Sequence, residues 1–205
     1  MIFLRKFKKT SWASLLLLLF IHVPVGKAQG PIAGGYTPEF SANLGYSYTS
    51  ASIPSQTRLP MTGVTGGWTA ELKPHFGVEI EGSFLRNYHA YGTQYAANLI
   101  TYMGGPVFHP MRGRRLDIYV HGLLGGAMET GVNYDPNGNL LHGYVNKTAW
   151  EVGGGAEYLF DRSISLRFGA DYLHTSFFTP VISITGQYNL RATVGATYRF
   201  GGRRE

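Results

Sequence analysis

Between residues 38 and 201 the sequence repeats in twos. Phe40, Ala42, Leu44, Tyr46 and Tyr48 form one row against Ser41, Asn43, Gly45, Ser47 and Thr49. Val64, Trp68, Ala70 and Leu72 stand in the same way against Thr65, Gly67, Thr69 and Glu71, and Val78, Ile80 and Phe84 against Glu79, Glu81 and Ser83. Segments 116–129, 150–158, 164–172 and 188–200 continue the pattern, and no helical period lasts three turns. A period of two sends successive side chains to opposite faces of a strand. The chain is therefore expected to be all-β, each strand carrying one apolar and one polar face. An eighth segment, about 95–108, is less regular. Leu99, Met103 and Val107 form its better apolar row, but Ile100 and Tyr102 compete, and its facing stays open.

The charges decide what each face meets. The polar rows of the regular segments hold Glu71, Glu79, Glu81, Asp117, Glu129, Glu151, Glu157, Arg167, Asp171, Arg191 and Arg199, whereas the apolar rows hold none. A midplane arginine facing lipid costs roughly 2–4 kcal/mol, and a set of this size would rival a folding stability of about 5–15 kcal/mol. In a membrane the apolar rows must face lipid and the polar rows a lumen. Segments of about 9–13 residues suit strands crossing a bilayer at a tilt. Connections alternate between tight ones (Lys73–His75, Pro110–Arg115, Asp161–Ser163) and long ones at 50–60, 86–94, 130–147 and 174–186. This predicts an eight-stranded antiparallel transmembrane β-barrel, an up-and-down meander over 38–201, with tight turns in the periplasm and long loops outside. Aromatics then fall at both membrane interfaces: Phe40, Phe76, Phe160, Tyr198 and Phe200 on the inner side, and Tyr48, Phe84, Trp150, Tyr172 and Tyr188 on the outer. A secreted, soluble lipocalin-like carrier would turn the same alternation inside out. The small Gly, Ser and Thr side chains of the polar rows suit a narrow lumen and favour the membrane barrel.

The net charge of +6, from 18 Lys and Arg against 12 Asp and Glu, suggests a polyanion partner only until the N-terminus is set aside. Residues 1–28 carry Arg5, Lys6, Lys8 and Lys9, an apolar run from Trp12 to Val23, and a Gly26-Lys27-Ala28 end. That is the pattern of a secretory signal peptide cleaved after Ala28. Its removal takes away five basic residues and no acid, leaving a mature charge of +1. No nucleic-acid partner is expected. Residues 29–37 are expected to be a short periplasmic segment and 202–205 a C-terminal tail. The absence of cysteine excludes disulfides, thiolate metal sites and cysteine nucleophiles.

The segments Ala170-Asp171-Tyr172-Leu173-His174-Thr175-Ser176-Phe177, Gln187-Tyr188-Asn189-Leu190-Arg191 and Gly195-Ala196-Thr197-Tyr198-Arg199-Phe200-Gly201 resemble the outer-membrane β-barrel domain family related to the OmpA transmembrane domain. The resemblance implies residence in the outer membrane of a Gram-negative-type bacterium, among its lipids. It also implies insertion by the barrel assembly machinery, helped by the aromatic Phe200 near the C-terminus. Gly201 to Glu205 follow that aromatic, a departure from the family pattern. No wall-anchoring function carries over, because the sequence has no counterpart of the peptidoglycan-binding domain that follows in OmpA.

Heights along the strands place Glu71, Glu79, Asp117, Glu157 and Arg199 in the periplasmic half of the lumen. Glu81, His121, Arg167, Asp171 and Arg191 fall nearer the middle, with Glu129 and Glu151 toward the outside. An eight-stranded barrel is just filled by its own side chains, so these groups are expected to satisfy one another and plug the lumen. The alternative is a narrow gated ion channel, opened by rearranging the pairs of Arg167 and Arg191. His174-x-Ser176 resembles the His-x-Ser element of lipid A deacylases, but 177–200 supplies no orienting acid, and enzymatic activity is not expected. Neither a calcium loop nor a zinc spacing occurs, so no metal or cofactor is expected. His75, His89, His109 and His142 read as solvated singles, and the glycine pairs as sites of coiling in a small barrel. The expected function is structural or surface-interactive, by a monomer whose external loops, especially 130–147 and 174–186, meet a surface ligand that the sequence does not name.

Overall fold

A computed structural model describes residues 38–52, 58–134, 140–177 and 187–201. The expected signal peptide, the segment 29–37 and the tail 202–205 lie outside the described residues. Eight strands form one closed antiparallel barrel in which each pairs with its sequence neighbours and the last with the first. They are β1 (Glu39–Ser52), β2 (Arg58–Lys73), β3 (Phe76–Asn87), β4 (Ala97–Arg112), β5 (Leu116–Tyr134), β6 (Leu140–Leu159), β7 (Ile164–Thr175) and β8 (Gln187–Gly201). Closure runs along nearly the whole of β1 and β8, from Phe40 opposite Phe200 to Ser50 opposite Leu190.

The alternation maps onto the wall directly. Leu44, Val64, Ile80, Val120, Leu124, Val152, Phe168 and Leu190 are exposed on the outside, while Asn43, Thr65, Glu79, His121, Arg167 and Arg191 are buried. The uncertain segment resolves with its apolar row inward: Leu99, Met103 and Val107 are buried, whereas Tyr102 and Phe108 are exposed. The reason is a division of the lumen that the strand rows do not announce. Toward the outer end the inward positions become apolar, and Met61, Leu85, Leu99, Met103, Leu123, Leu173 and Phe177 pack into one cluster. Polar and charged inward positions thus prevail in the periplasmic and middle parts of the lumen, and apolar ones join them at its outer end.

The second correction concerns the loops. Residues 130–147 are mostly strand: β5 and β6 stay paired from Leu116 opposite Tyr158 to Tyr134 opposite Leu140. The last described pair between β6 and β7 is Ala149 with Thr175, so β6 runs nine residues farther, about 30 Å at ~3.3 Å per residue. Gly131, where this hairpin leaves the wall, has a φ of 104°, and a Cβ there would collide with the Ala96 carbonyl. The connection at 86–94 contains a 3₁₀ turn, Ala90–Gly92, and the one at 50–60 shortens to the gap between Ser52 and Arg58. Residues 178–186 of the last long connection lie outside the described residues.

Candidate functional site: the charged lumen

Nine of the ten described acids are buried; Asp161, in the turn between β6 and β7, is the exposed one. The lumen gathers them into two layers. In the periplasmic layer His109 lies between two carboxylates, with Nε2 2.8 Å from Glu71 and Nδ1 2.8 Å from Asp117. Arg112 spans the same pair, 2.7 Å from Glu71 and 3.6 Å from Asp117. Arg199 meets Asp117 at 3.3 Å, Glu39 at 3.7 Å, and Glu157.

The middle layer repeats the device. His121 places Nδ1 2.9 Å from Glu79 and Nε2 3.1 Å from Asp171. An imidazole held between two carboxylates satisfies both only when each ring nitrogen carries a hydrogen. Arg191 donates to Asp171 through Nε at 3.2 Å and to both Glu81 and Glu151 through Nη2. Arg167 donates to Glu79 at 2.9 Å and to Glu157 at 3.2 Å. It also donates through Nε to the Tyr119 hydroxyl at 3.0 Å and lies 3.9 Å from the centre of that ring. Glu157 joins the layers, accepting from Arg167 and Arg199 and from the hydroxyls of Ser165 and Thr197. The planar, five-donor guanidinium is what allows one cation to serve two or three acids in so narrow a space.

Glycine makes the space. A Cβ on Gly155 would stand 2.8 Å from the Tyr119 hydroxyl and one on Gly169 2.9 Å from it, while one on Gly153 would collide with the Asp171 carboxylate. The inward glycines of β6 and β7 are thus the room into which the side chains of β5 and β7 fold.

The structure brings Glu71, Glu79, Glu81, Asp117, His121, Glu157, Arg167, Asp171, Arg191 and Arg199 together by direct ion pairs, and Glu151 joins them. Three participants were missing from the sequence reading. His109, taken as solvated, is buried and bridging. Arg112 turns inward because a register shift between Phe108 and Met111 reverses the strand's parity. Glu39 extends the polar row of β1 by one position, a signal that was present and unused. Glu129 lines a cavity of about 20 Å³ at the outer mouth with Leu59, Met61, Leu99, Phe177 and Asn189, room for about one water.

Donor atoms of His121, Glu151 and Asp171 lie within 4.8 Å of one another, the one metal-like grouping among the described residues. Arg191 already bonds to both of these acids. A divalent ion about 4 Å from that guanidinium would be repelled by about 8 kcal/mol at an effective dielectric of ~20, so the cluster suits the arginine better than a metal.

On the outer wall Phe40, Tyr48, Phe84, Trp150, Tyr172, Tyr188 and Tyr198 are exposed and Phe200 half-buried. His174 stacks on Trp150 at 5.0 Å and meets Tyr188 edge-on at 5.3 Å. Its Nδ1 makes no hydrogen bond among the described residues.

The fold recurs in small barrels of known structure. Ail, the attachment invasion locus protein of Yersinia pestis, solved with the heparin analogue sucrose octasulfate, superposes with a TM-score of 0.55 at 18% identity, over 80% of this chain and 99% of that one. Neisserial surface protein A matches with a TM-score of 0.56 at 12% identity, over 80% and 97%. The N-terminal barrel domain of Pseudomonas aeruginosa OprF gives 0.52 at 15%, over 80% and 97%. No match was found among curated protein sequences. The family model for the outer membrane protein beta-barrel domain matches residues 13–200. With its closed eight-stranded barrel, apolar wall and charged lumen, the chain belongs to that family and is a protein of the Gram-negative outer membrane.

Proposed function

We propose that the protein acts at the cell surface as a non-enzymatic, non-conducting barrel that presents the β5–β6 hairpin to an anionic saccharide partner. The projection of that hairpin beyond the wall carries the reading. It exposes Tyr144 (76%), His142, Asn146 and Lys147, and it is braced rather than loose. Tyr102 donates from its hydroxyl to Asn146 at 2.9 Å, and Tyr95 packs edge-on against His142 at 4.6 Å. Nearby, Arg86 lies 4.8 Å over the Tyr88 ring. Arg58, Arg86 and Lys147 stand at this end, and no described acid is exposed there. Exposed aromatics interleaved with bases fit a sulfated or phosphorylated saccharide, whose sugar faces stack on rings and whose anions pair with guanidinium. The heparin analogue bound to Ail, a barrel of the same fold, supports the choice of probe.

The lumen serves this role as a plug. The carboxylate–arginine network closes the middle, and the fully buried Leu85, Leu123 and Leu173 close the outer end above it. An apolar cap over a dense, buried ion-pair network argues against a gated ion path.

The test uses whole cells displaying either the native protein or the variant Tyr144→Ala, Lys147→Gln. Both forms should migrate faster on gels without heating, the mark of a folded barrel, and only the native form should retain cells on heparin-coated beads over uncharged dextran. Equal retention by the two forms would refute the hairpin's role. Discrete conductance of the native protein in planar bilayers would refute the plug.

A further inference from the structure

We propose that the periplasmic rim is a binding collar for anionic phospholipids of the inner leaflet. The inference rests on the tight-turn end facing the periplasm and is independent of the saccharide reading above. Three turns build the collar: 73–75 between β2 and β3, 113–115 between β4 and β5, and 160–163 between β6 and β7. They expose Lys73, Arg114, Arg115 and Arg162, against the single acid Asp161. Among the described residues, the other acids toward this end, Glu39, Glu71, Asp117 and Glu157, are drawn into the lumen. The turn after β4 makes the sorting plain, since Arg112 is committed inward to Glu71 and Asp117 while Arg114 and Arg115 stay exposed.

The second observation selects the partner. Each exposed base lies within a few residues of exposed apolar side chains on the outer wall: Leu72 and Phe76 flank Lys73, Met111 and Leu116 flank the arginine pair, and Phe160 and Ile164 flank Arg162. Bases poised at the edge of an apolar belt match an amphiphile with an anionic head and acyl chains.

The collar is also rigid. The Leu159 amide donates to the Arg115 carbonyl at 2.8 Å, which ties the second turn to the third, and the Arg199 amide donates to Ser163 at 2.7 Å. The His109 amide donates to the His75 carbonyl at 2.9 Å, which ties the first turn to β4. Bases held on braced turns lose little freedom when a headgroup binds.

Native mass spectrometry of the full-length protein, extracted from outer membranes and exchanged into mixed phosphatidylglycerol and phosphatidylcholine of matched chains, tests the proposal. The wild type should retain phosphatidylglycerol preferentially. The triple variant Arg114→Gln, Arg115→Gln, Arg162→Gln should lose on the order of tenfold or more of that preference, while still showing the heat-dependent gel shift of a folded barrel. The outer-end variant Arg58→Gln, Lys147→Gln should retain it. Equal retention of the two lipids by the wild type, or a triple variant that keeps the full preference, would overturn the collar. So would displacement of the lipid by soluble glycerol phosphate, which would show a site for charge alone.

Discussion

Arg191 is the side chain on which the middle of the lumen turns. It is fully buried, and it is the guanidinium that Glu81, Glu151 and Asp171 share. Arg191→Met keeps most of the volume and removes the charge. Asp171 then retains the His121 contact at 3.1 Å, while Glu81 loses its ion pair and Glu151 keeps only the 3.7 Å approach to His121. Stripping one partner from a buried pair costs about 3–5 kcal/mol, because an uncompensated charge remains. A loss of about 4 kcal/mol, at a denaturant slope of about 2 kcal/mol per molar urea, moves the unfolding midpoint down by roughly 2 M. Urea unfolding in detergent, with folded and unfolded chains separated on unheated gels, measures that shift. The reasoning makes a second demand. Adding Glu81→Gln and Glu151→Gln to Arg191→Met removes the stranded charges, so at least half of the lost stability should return. A shift below about 1 kcal/mol for the single variant, or no recovery in the triple, would show that the network does not hold the lumen together.

Gly153→Ala places a methyl against the Asp171 carboxylate, and the overpacking should cost about 1–3 kcal/mol in the same unfolding assay. Arg191→Ala should give no discrete current in planar bilayers even though the middle layer is opened, because Leu85, Leu123 and Leu173 remain above it. Trypsin added to intact cells should cut at Arg58 or Lys147 at the outer end and spare Arg114 and Arg115 until the outer membrane is permeabilised; early cleavage at the arginine pair would invert the topology.

Most of the wall was legible in the sequence because a bilayer punishes errors of facing. Charges on one row and none on the other fixed the sidedness of β2, β3 and β5–β8 without any contact information. Legibility failed where that penalty lapses. Along 142–148 every side chain but Val145 is exposed, so alternation has little to enforce it, and a paired hairpin reads as a polar loop. Toward the outer end of the lumen both faces tolerate apolar residues, so Leu99 and Met103 gave no sign of pointing inward. Arg112 was hidden by a bulge, which reverses parity without a sequence mark. His109 was hidden because its partners Glu71 and Asp117 come from other strands, whose proximity exists only after closure.

The distribution of charge along the chain has a consequence for assembly. The buried lumen acids are spread over β1, β2, β3, β5, β6 and β7, whereas of the arginines that meet them Arg112 lies on β4, Arg167 on β7 and both Arg191 and Arg199 on β8. Until the last strand docks, an incomplete sheet carries these anions with only half of the arginines that neutralise them. Such a half-cylinder is a poor guest in hydrocarbon, and arrival of β8 supplies seam pairing with β1 and charge neutrality in one event. Order of synthesis thus becomes a checkpoint: the chain gains its passport to the membrane only when its final strand is in hand.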